Sequence, residues 1–207
     1  MNAKKFLALV LCILLMAGAA GGAAAEGSTL MERMGETMVN VLVELAGTPG
    51  DTAEVGDWIS LKLAAMHRKT DIVVTADITY GEGEGTIVFS APVTLRSQAG
   101  ERYTIDGNGK QILCVQPASA DTPLSGLTLV ENLVFTGGSA TTEFSDIYAT
   151  GSGGALFVMG DVKLVNCALT GNAANYGAAV CATGGITLEN CTADGNVAGV
   201  AGAVYAL

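Results

Sequence analysis

The chain has 207 residues and a formal net charge of −10 at pH 7. An acidic chain is repelled by nucleic acid and by anionic membrane surfaces, so both are excluded as partners. Half of the residues are hydrophobic and 14% are charged, which excludes a disordered chain and indicates a packed domain. The 28 glycines suit a fold in which tight turns recur.

Residues 1–25 have the features of a secretory signal peptide of the bacterial type. Lys4 and Lys5 form a positive region, the apolar run Phe6–Met16 follows, and Ala23–Ala25 supplies a cleavage site of small residues. The run is shorter than the roughly 20 residues of a membrane span, which disfavours the alternative of a membrane anchor. We therefore expect a secreted or cell-surface protein on the extracellular side of a bacterial envelope, with an outer-membrane location still open. We expect no transmembrane span in the mature chain.

Residues 26–70 are predicted to form a helical cap at the N-terminal end of the following domain. Apolar residues at three- and four-residue steps indicate a helix over 28–46. A second, short helix is predicted over 55–66, with Trp58 on its apolar face. A helix at this place would cover the unpaired strand edges at the open end of a solenoid.

From Asp71 the pattern changes to short strands that are separated by turns containing glycine and asparagine. The predicted strands include 72–74, 78, 86–89, 93–95, 103–105, 112–115 and 127–130.

A period of 24 residues repeats near the C-terminus. The pairs with this offset include Asn166 and Asn190, Cys167 and Cys191, Gly171 and Gly195, and Asn172 and Asn196. Such a period leaves no room for two helices and is typical of a coiled β-solenoid. The sequence therefore predicts an all-β solenoid over 71–207. The repeated asparagines are predicted to be structural, because a turn asparagine tolerates the left-handed conformation and can stack on its equivalent.

The repeat extends further back at a longer offset. Asn132 aligns with Asn166 at an offset of 34, and the ten extra residues fall in 139–152. We interpret this stretch as an extruded loop and Phe144 and Tyr148 as candidate interaction residues. A tolerated surface insertion without a role is the alternative.

Four cysteines follow the signal peptide, at positions 114, 167, 181 and 191. Export permits disulfides. Cys167 and Cys191 would stack at about 4.8 Å on successive coils, whereas disulfide Cβ atoms prefer about 3.8 Å. We predict stacked free thiols in the core, with a disulfide as the alternative.

The repeat resembles motifs of the polymorphic outer membrane protein family. Gly153-Gly154-Ala155-Leu156 is similar to its GGA(I/L/V) motif. Leu169-Thr170-Gly171-Asn172 is similar to its FxxN motif, with leucine in place of phenylalanine, and Ala193-Asp194-Gly195-Asn196 is a weaker version. The resemblance implies a right-handed parallel β-helix over roughly residues 72–207 and an adhesin-like protein. It does not imply an outer-membrane location.

The sequence favours a non-catalytic protein. Parallel β-helices also host polysaccharide lyases and hydrolases, which need paired carboxylates or calcium-binding acids beside a basic residue. The acids here form no such cluster, and Lys163 is the only basic residue after Lys110. We expect no cofactor and no metal, and we predict binding to glycans or to host or partner surfaces. The alternative is a carbohydrate-active β-helix enzyme with its active site outside this chain.

The sequence ends at Leu207 within a predicted strand and without a polar cap. An uncovered final coil is a template for edge pairing. We therefore expect the β-helix to be incomplete at its C-terminus, as a piece of a longer protein. End-to-end self-association at the open coil is the alternative.

Overall fold

The computed structural model of the protein describes residues 52–119, 124–141 and 151–207. All of them belong to one compact unit, Pro49–Leu207. The predicted signal peptide, the predicted helix over 28–46, and the loop residues Phe144 and Tyr148 lie outside the described residues.

The described residues form one helix and a series of short strands. The helix α1 is Trp58–Met66, and the strands are β1 (Thr52–Val55), β2 (Asp71–Val74), β3 (Ile78–Thr79), β4 (Ile87–Phe89), β5 (Thr94–Ser97), β6 (Thr104–Asp106), β7 (Leu113–Val115), β8 (Leu127–Glu131), β9 (Val134–Thr136), β10 (Ser139–Ala140), β11 (Leu156–Val158), β12 (Asp161–Val165), β13 (Ala168–Thr170), β14 (Ala173–Tyr176), β15 (Val180–Ala182), β16 (Ile186–Glu189), β17 (Thr192–Asp194), β18 (Val197–Val200) and β19 (Val204–Ala206).

Helix α1 begins at a capping box. Asp57 Oδ1 accepts a hydrogen bond from the Ser60 N–H at 2.7 Å, and Ser60 Oγ accepts one from the Asp57 N–H at 3.2 Å. Trp58 and Leu61 are buried, and the helix packs against β1 and β4. The helix predicted over 55–66 is present as Trp58–Met66, so it begins later than predicted. Val55 belongs to strand β1 instead. Residues 52–55 of the predicted helical cap therefore extend the sheet, because β1 pairs in parallel with β2.

The strands stack into four parallel sheets. Sheet 1 has the order β1-β2-β5-β8-β12-β16, sheet 2 the order β3-β6-β9-β13-β17, sheet 3 the order β10-β14-β18, and sheet 4 the order β4-β7-β11-β15-β19. The chain visits these sheets in turn and returns to sheet 1, so each circuit is one coil. This is the architecture of an all-β solenoid, as the sequence predicted.

The register between coils follows the offsets read from the sequence. Val180 lies opposite Leu156 in sheet 4, at an offset of 24 residues. Ala168 lies opposite Val134 in sheet 2, at an offset of 34. Equivalent residues of the repeat therefore occupy equivalent places on successive coils.

Side chains that point into the coils form a continuous apolar core. In sheet 2 the inward column contains Ile78, Ile105, Phe135 and Leu169, and each is at most 1% exposed. Burial of a side chain of this size stabilises the fold by about 2 kcal/mol. Because the interior is filled with side chains, ligands of this unit would contact its outer faces and corners.

The described part of the chain includes no helix with the length and apolar character that crossing a membrane requires.

Candidate functional site

The first set of repeated asparagines makes the bend between sheet 1 and sheet 2. Asn132, Asn166 and Asn190 have φ values of 54°, 53° and 52°. These values lie in the left-handed region, which asparagine tolerates better than most residues. Asn166 Nδ2 donates to Asn132 Oδ1 at 3.2 Å, so the side chains of successive coils hydrogen-bond to each other.

The second set of asparagines lies inside the coil between sheet 2 and sheet 3. Asn172 is fully buried, and its Oδ1 accepts from the Gly138 N–H at 2.9 Å. Its Nδ2 donates to two backbone carbonyls, and its own N–H donates to Asn196 Oδ1 at 2.9 Å. Gly171 and Gly195, with φ values of 64° and 61°, supply the turn before each asparagine. These polar groups are used within the fold.

The glycines of the GGA motif leave no room for a side chain. A Cβ on Gly153 would clash with the Leu156 carbonyl oxygen of the same coil, and one on Gly154 would lie 2.5 Å from the Ala173 carbonyl oxygen of the next coil. Ala155 is fully buried. The structure therefore uses this motif for packing.

Cys167 and Cys191 stack on successive coils as free thiols. The Cys167 N–H donates to Cys191 Sγ at 3.4 Å. The thiols also donate to backbone carbonyls, Cys167 to Val165 at 3.4 Å and Cys191 to Glu189 at 3.3 Å. Burial raises the pKa of Cys167 to about 11, so it is a neutral thiol at physiological pH.

Strands β7, β11 and β15 of sheet 4 bury their outer faces as well as their inner faces, whereas Val88 on β4 is exposed. Cys114, Phe157 and Cys181 lie opposite one another on the outer side, and each is at most 3% exposed. Met159 and Tyr205 pack against this row. This apolar row is therefore not open to a ligand.

The candidate functional site is a notch where sheet 3 begins. Sheet 3 starts at β10, so the described coils before β10 contribute no strand to it. The Gly109 N–H donates to the Gly137 carbonyl at 2.8 Å, and the Ile112 N–H donates to the Gly154 carbonyl at 3.1 Å. Between these two bonds the earlier coil has only two residues, whereas the later coil has a longer segment that includes β10. The coils separate here and leave a cleft of about 210 Å³, which we call the sheet 3 notch.

One wall of the sheet 3 notch is a tyrosine that helix α1 holds in place. The Tyr80 ring meets the Trp58 ring edge-on, with 5.1 Å between the ring centroids. The Tyr80 hydroxyl accepts from the Gly85 N–H at 3.2 Å, and Trp58 Nε1 donates to the Gly85 carbonyl at 3.1 Å. These contacts fix the position of the aromatic wall.

The floor of the notch carries a positive charge. Gln111 Nε2 donates to the Ser152 and Gly153 carbonyls at 2.8 and 3.1 Å, which ties the floor to the next coil. The Lys110 side chain is exposed and makes no ion pair or hydrogen bond within the described part of the chain. In a chain of net charge −10, this lysine makes the notch a local positive site.

The opposite wall is strand β10 and the residue after it. Ser139 Oγ and Thr141 Oγ1 lie 3.3 Å apart, and Ala140 between them is buried. The notch therefore combines hydroxyl groups, an amide, a lysine and an aromatic ring.

No sequence motif marks the residues of this notch. Lys110 is one of the last basic residues of the chain, and Tyr80 and Gln111 belong to no repeat or motif. A usable signal is the turn length, because Asp106 to Leu113 is shorter than Thr170 to Val180. That difference shows that the earlier coil lacks a strand.

Several of the described acidic side chains are engaged in turns and ion pairs. Asp106 Oδ1 accepts from the Asn108 N–H at 2.8 Å, which closes the Asp106–Gly109 turn. Asp71 pairs with Arg96 at 2.9 Å. Burial alone would raise the pKa of Asp71. Hydrogen bonds from Arg96 and Thr52 outweigh this effect, so the pKa of the carboxyl group lies below its ordinary value. No group of three His, Cys, Asp or Glu side chains suited to a metal ion occurs among the described residues.

Comparison with known proteins gives one family. No curated protein and no solved structure matches the chain. The model of a family described as a pectate lyase-like adhesive domain matches residues 52–198, which include all the described strands except β19 and the end of β18. This match supports the adhesin-like β-helix part of the predicted resemblance and indicates a cell-surface or extracellular role. The chain belongs to the family of pectate lyase-like adhesive domains.

Proposed function

We propose that the protein is a secreted or cell-surface adhesin that binds partner surfaces without catalysing a reaction on them. The family match over residues 52–198 carries this proposal. The signal-peptide pattern of residues 1–25 supports export. The adhesive unit is the stack of coils from Asp71 onward, extended at its start by β1.

The coils of this unit wind in the right-handed sense. Connections between parallel strands of one sheet are right-handed in about 98% of cases, because the twist of the strands favours that path. Each coil leaves sheet 1 and returns to it as a parallel neighbour, which is a connection of this kind.

The geometry favours binding on the outside of the coils. The core is filled, and the outer face of sheet 4 is buried on β7, β11 and β15. The outer face of sheet 1 carries two ion pairs, Lys163 with Glu189 at 2.7 Å and Arg96 with Asp71 at 2.9 Å. The sheet 3 notch is a concave site with an unpaired cation. Host or partner surfaces that carry glycans or proteins are the expected targets of these regions.

A binding and turnover experiment tests this function. The protein purified after export is applied to immobilised mucin, to a glycan array and to cultured host cells, and released sugars are measured in parallel. We expect saturable binding to at least one surface and no release of reducing sugars or unsaturated uronides. Release of sugars by the purified protein would contradict the non-catalytic role, and absence of binding to every surface would contradict adhesion.

A further inference from the structure

Strand β10 has one edge without a partner strand in the described structure. It is the first strand of sheet 3 and pairs only with β14, through Ser139 opposite Ala173 and Ala140 opposite Ala174. The Ala173 N–H donates to the Gly138 carbonyl at 2.8 Å. In a parallel ladder the bonding direction alternates along the strand, so the N–H and carbonyl of Ser139 point away from β14. They point toward the sheet 3 notch.

The notch leaves room for another strand beside β10. The earlier coil makes its last hydrogen bond to this segment at the Gly137 carbonyl, two residues before β10. It does not run beside Ser139 and Ala140. Lys110 and Gln111 form the floor of the notch. The cleft of about 210 Å³ is smaller than the roughly 300–1,000 Å³ pockets that hold drug-sized ligands, so it does not enclose a whole ligand of that size. The unpaired edge of β10, rather than the volume, indicates a short stretch of extended chain.

We propose that the sheet 3 notch binds an extended segment of a partner protein, which adds a strand to sheet 3 beside β10. The outward N–H and carbonyl of Ser139 supply main-chain hydrogen bonds, as in other cases of strand addition. Lys110 has no partner among the described residues, so it selects a segment with a carboxylate at the position above it. The Tyr80 ring forms the side wall of the groove. This inference rests on the proposed adhesive function and specifies an extended protein segment as the ligand.

Peptide binding measured by fluorescence anisotropy tests this inference. The probes are labelled hexapeptides of alternating valine and threonine in which a single glutamate occupies each position in turn. Matched probes carry lysine in place of glutamate, or N-methyl groups on alternate amides. We expect the best glutamate peptide to bind at least about tenfold more tightly than its lysine counterpart, because Lys110 attracts the carboxylate and repels the ammonium group. N-methylation in the favoured register should abolish binding, because it removes the backbone donors.

Two variants locate the site. Lys110→Gln should weaken binding of the best glutamate peptide by about fivefold, whereas Arg102→Gln, an exposed cation outside the notch lining, should leave it unchanged. Ser139→Pro removes the outward N–H and should abolish binding. Hydrogen exchange of the unaltered protein should show that the peptide protects the Ser139 amide, which gives a readout that does not depend on the folding of a variant.

The outcomes separate this inference from the adhesive function. If none of the peptides binds while mucin or glycans bind, the strand-addition proposal is wrong and the adhesive function stands. Equal binding of the N-methylated peptide, or competition by a mucin oligosaccharide that depends on Lys110, would assign the notch to another ligand and overturn the proposal. If neither peptides nor any surface binds, both proposals fail.

Discussion

Thr128 is a buried residue of strand β8 whose hydroxyl has no hydrogen-bond partner among the described residues. It is 1% exposed and lies opposite Val162 of the next coil, which in turn lies opposite Ile186. The column is otherwise apolar, so the hydroxyl loses its hydrogen bonds to water and gains none in the fold. Valine has nearly the same shape without the polar atom.

We expect Thr128→Val to increase the free energy of unfolding by about 1 kcal/mol, because an unsatisfied buried hydroxyl costs about 1–3 kcal/mol. Urea denaturation at neutral pH measures the change. Thr170→Val, on an exposed position of β13, is the matched control and should shift stability by less than about 0.5 kcal/mol. A lower stability of the Thr128 variant would show that the hydroxyl has a partner in solution.

The buried thiols give the fold a dependence on alkaline pH. Burial raises the pKa of Cys114 from its ordinary 9.0 to about 12 and that of Cys167 to about 11. In the unfolded chain both thiols ionise near pH 9, while in the folded chain they remain protonated. Their contribution to stability is therefore complete below pH 9 and is lost as the pH rises through the folded pKa values.

Replacement of both thiols should reduce this alkaline loss of stability. Urea midpoints of the unaltered protein and of the Cys114→Val, Cys167→Val double variant are compared from pH 8 to pH 11. We expect the stability of the variant to fall less steeply above pH 9. Parallel curves for the two proteins would show that the thiols do not contribute to the pH dependence.

Helix α1 links the N-terminal part of the described unit to the sheet 3 notch. Its first residue, Trp58, contacts Tyr80 and the Gly85 carbonyl. The capping box at Asp57 fixes where the helix begins, and therefore where the indole lies. Loss of the cap should therefore move the Tyr80 wall of the notch, because Trp58 contacts the Tyr80 ring.

Asp57→Ala should lower the free energy of unfolding by about 1 kcal/mol, because the N-terminal N–H groups of α1 lose their acceptor. Asp57→Asn keeps an acceptor and should cost less. Thermal unfolding followed by circular dichroism measures both changes, with Glu54→Ala on the exposed face of β1 as the control. A cost for Glu54→Ala equal to that for Asp57→Ala would contradict the capping role.

Sequence patterns predicted the strands that carry β-branched and aromatic residues, such as Ile72–Val74 and Ile87–Phe89. They missed β1, because Thr52–Val55 contains an acid and an alanine and is extended through its pairing with β2. They also missed β10, whose Ser139 and Ala140 have low strand propensity and are aligned by β14. The notch depends on where sheet 3 starts, which is a property of pairing between coils rather than of local sequence.

In the whole described unit each coil pairs only with the coils directly before and after it. Equivalent residues of the last coils are 24 positions apart in the sequence. Gly184 stands one period after Gly160, and its N–H donates to the Gly160 carbonyl at 3.1 Å. The repeat register was readable from the sequence because Asn166 and Cys167 recur in turns that tolerate few substitutes. Stability in such an array is approximately a sum of coil terms and terms between neighbours.

Deletion of residues 161–184 should therefore leave a folded, shorter solenoid. The deletion joins Gly160 to Gly185 and brings β16 beside β8 in the register that β12 occupied. We expect a β-rich circular dichroism spectrum, cooperative unfolding at a lower temperature, and an unchanged sheet 3 notch. Deletion of residues 161–172, half a period, should abolish folding. Equal behaviour of the two deletions would contradict the importance of the register.

The common offset also affects how the gene can change. A repeat unit in the protein is a whole number of codons, so unequal recombination between the segments that encode successive coils preserves the reading frame. The new junction joins equivalent turn residues, such as Asn166 and Asn190, and needs no further mutation to fit. Such an event would change the number of coils and would leave the wall, floor and edge of the sheet 3 notch unchanged, because these are encoded upstream of the repeat.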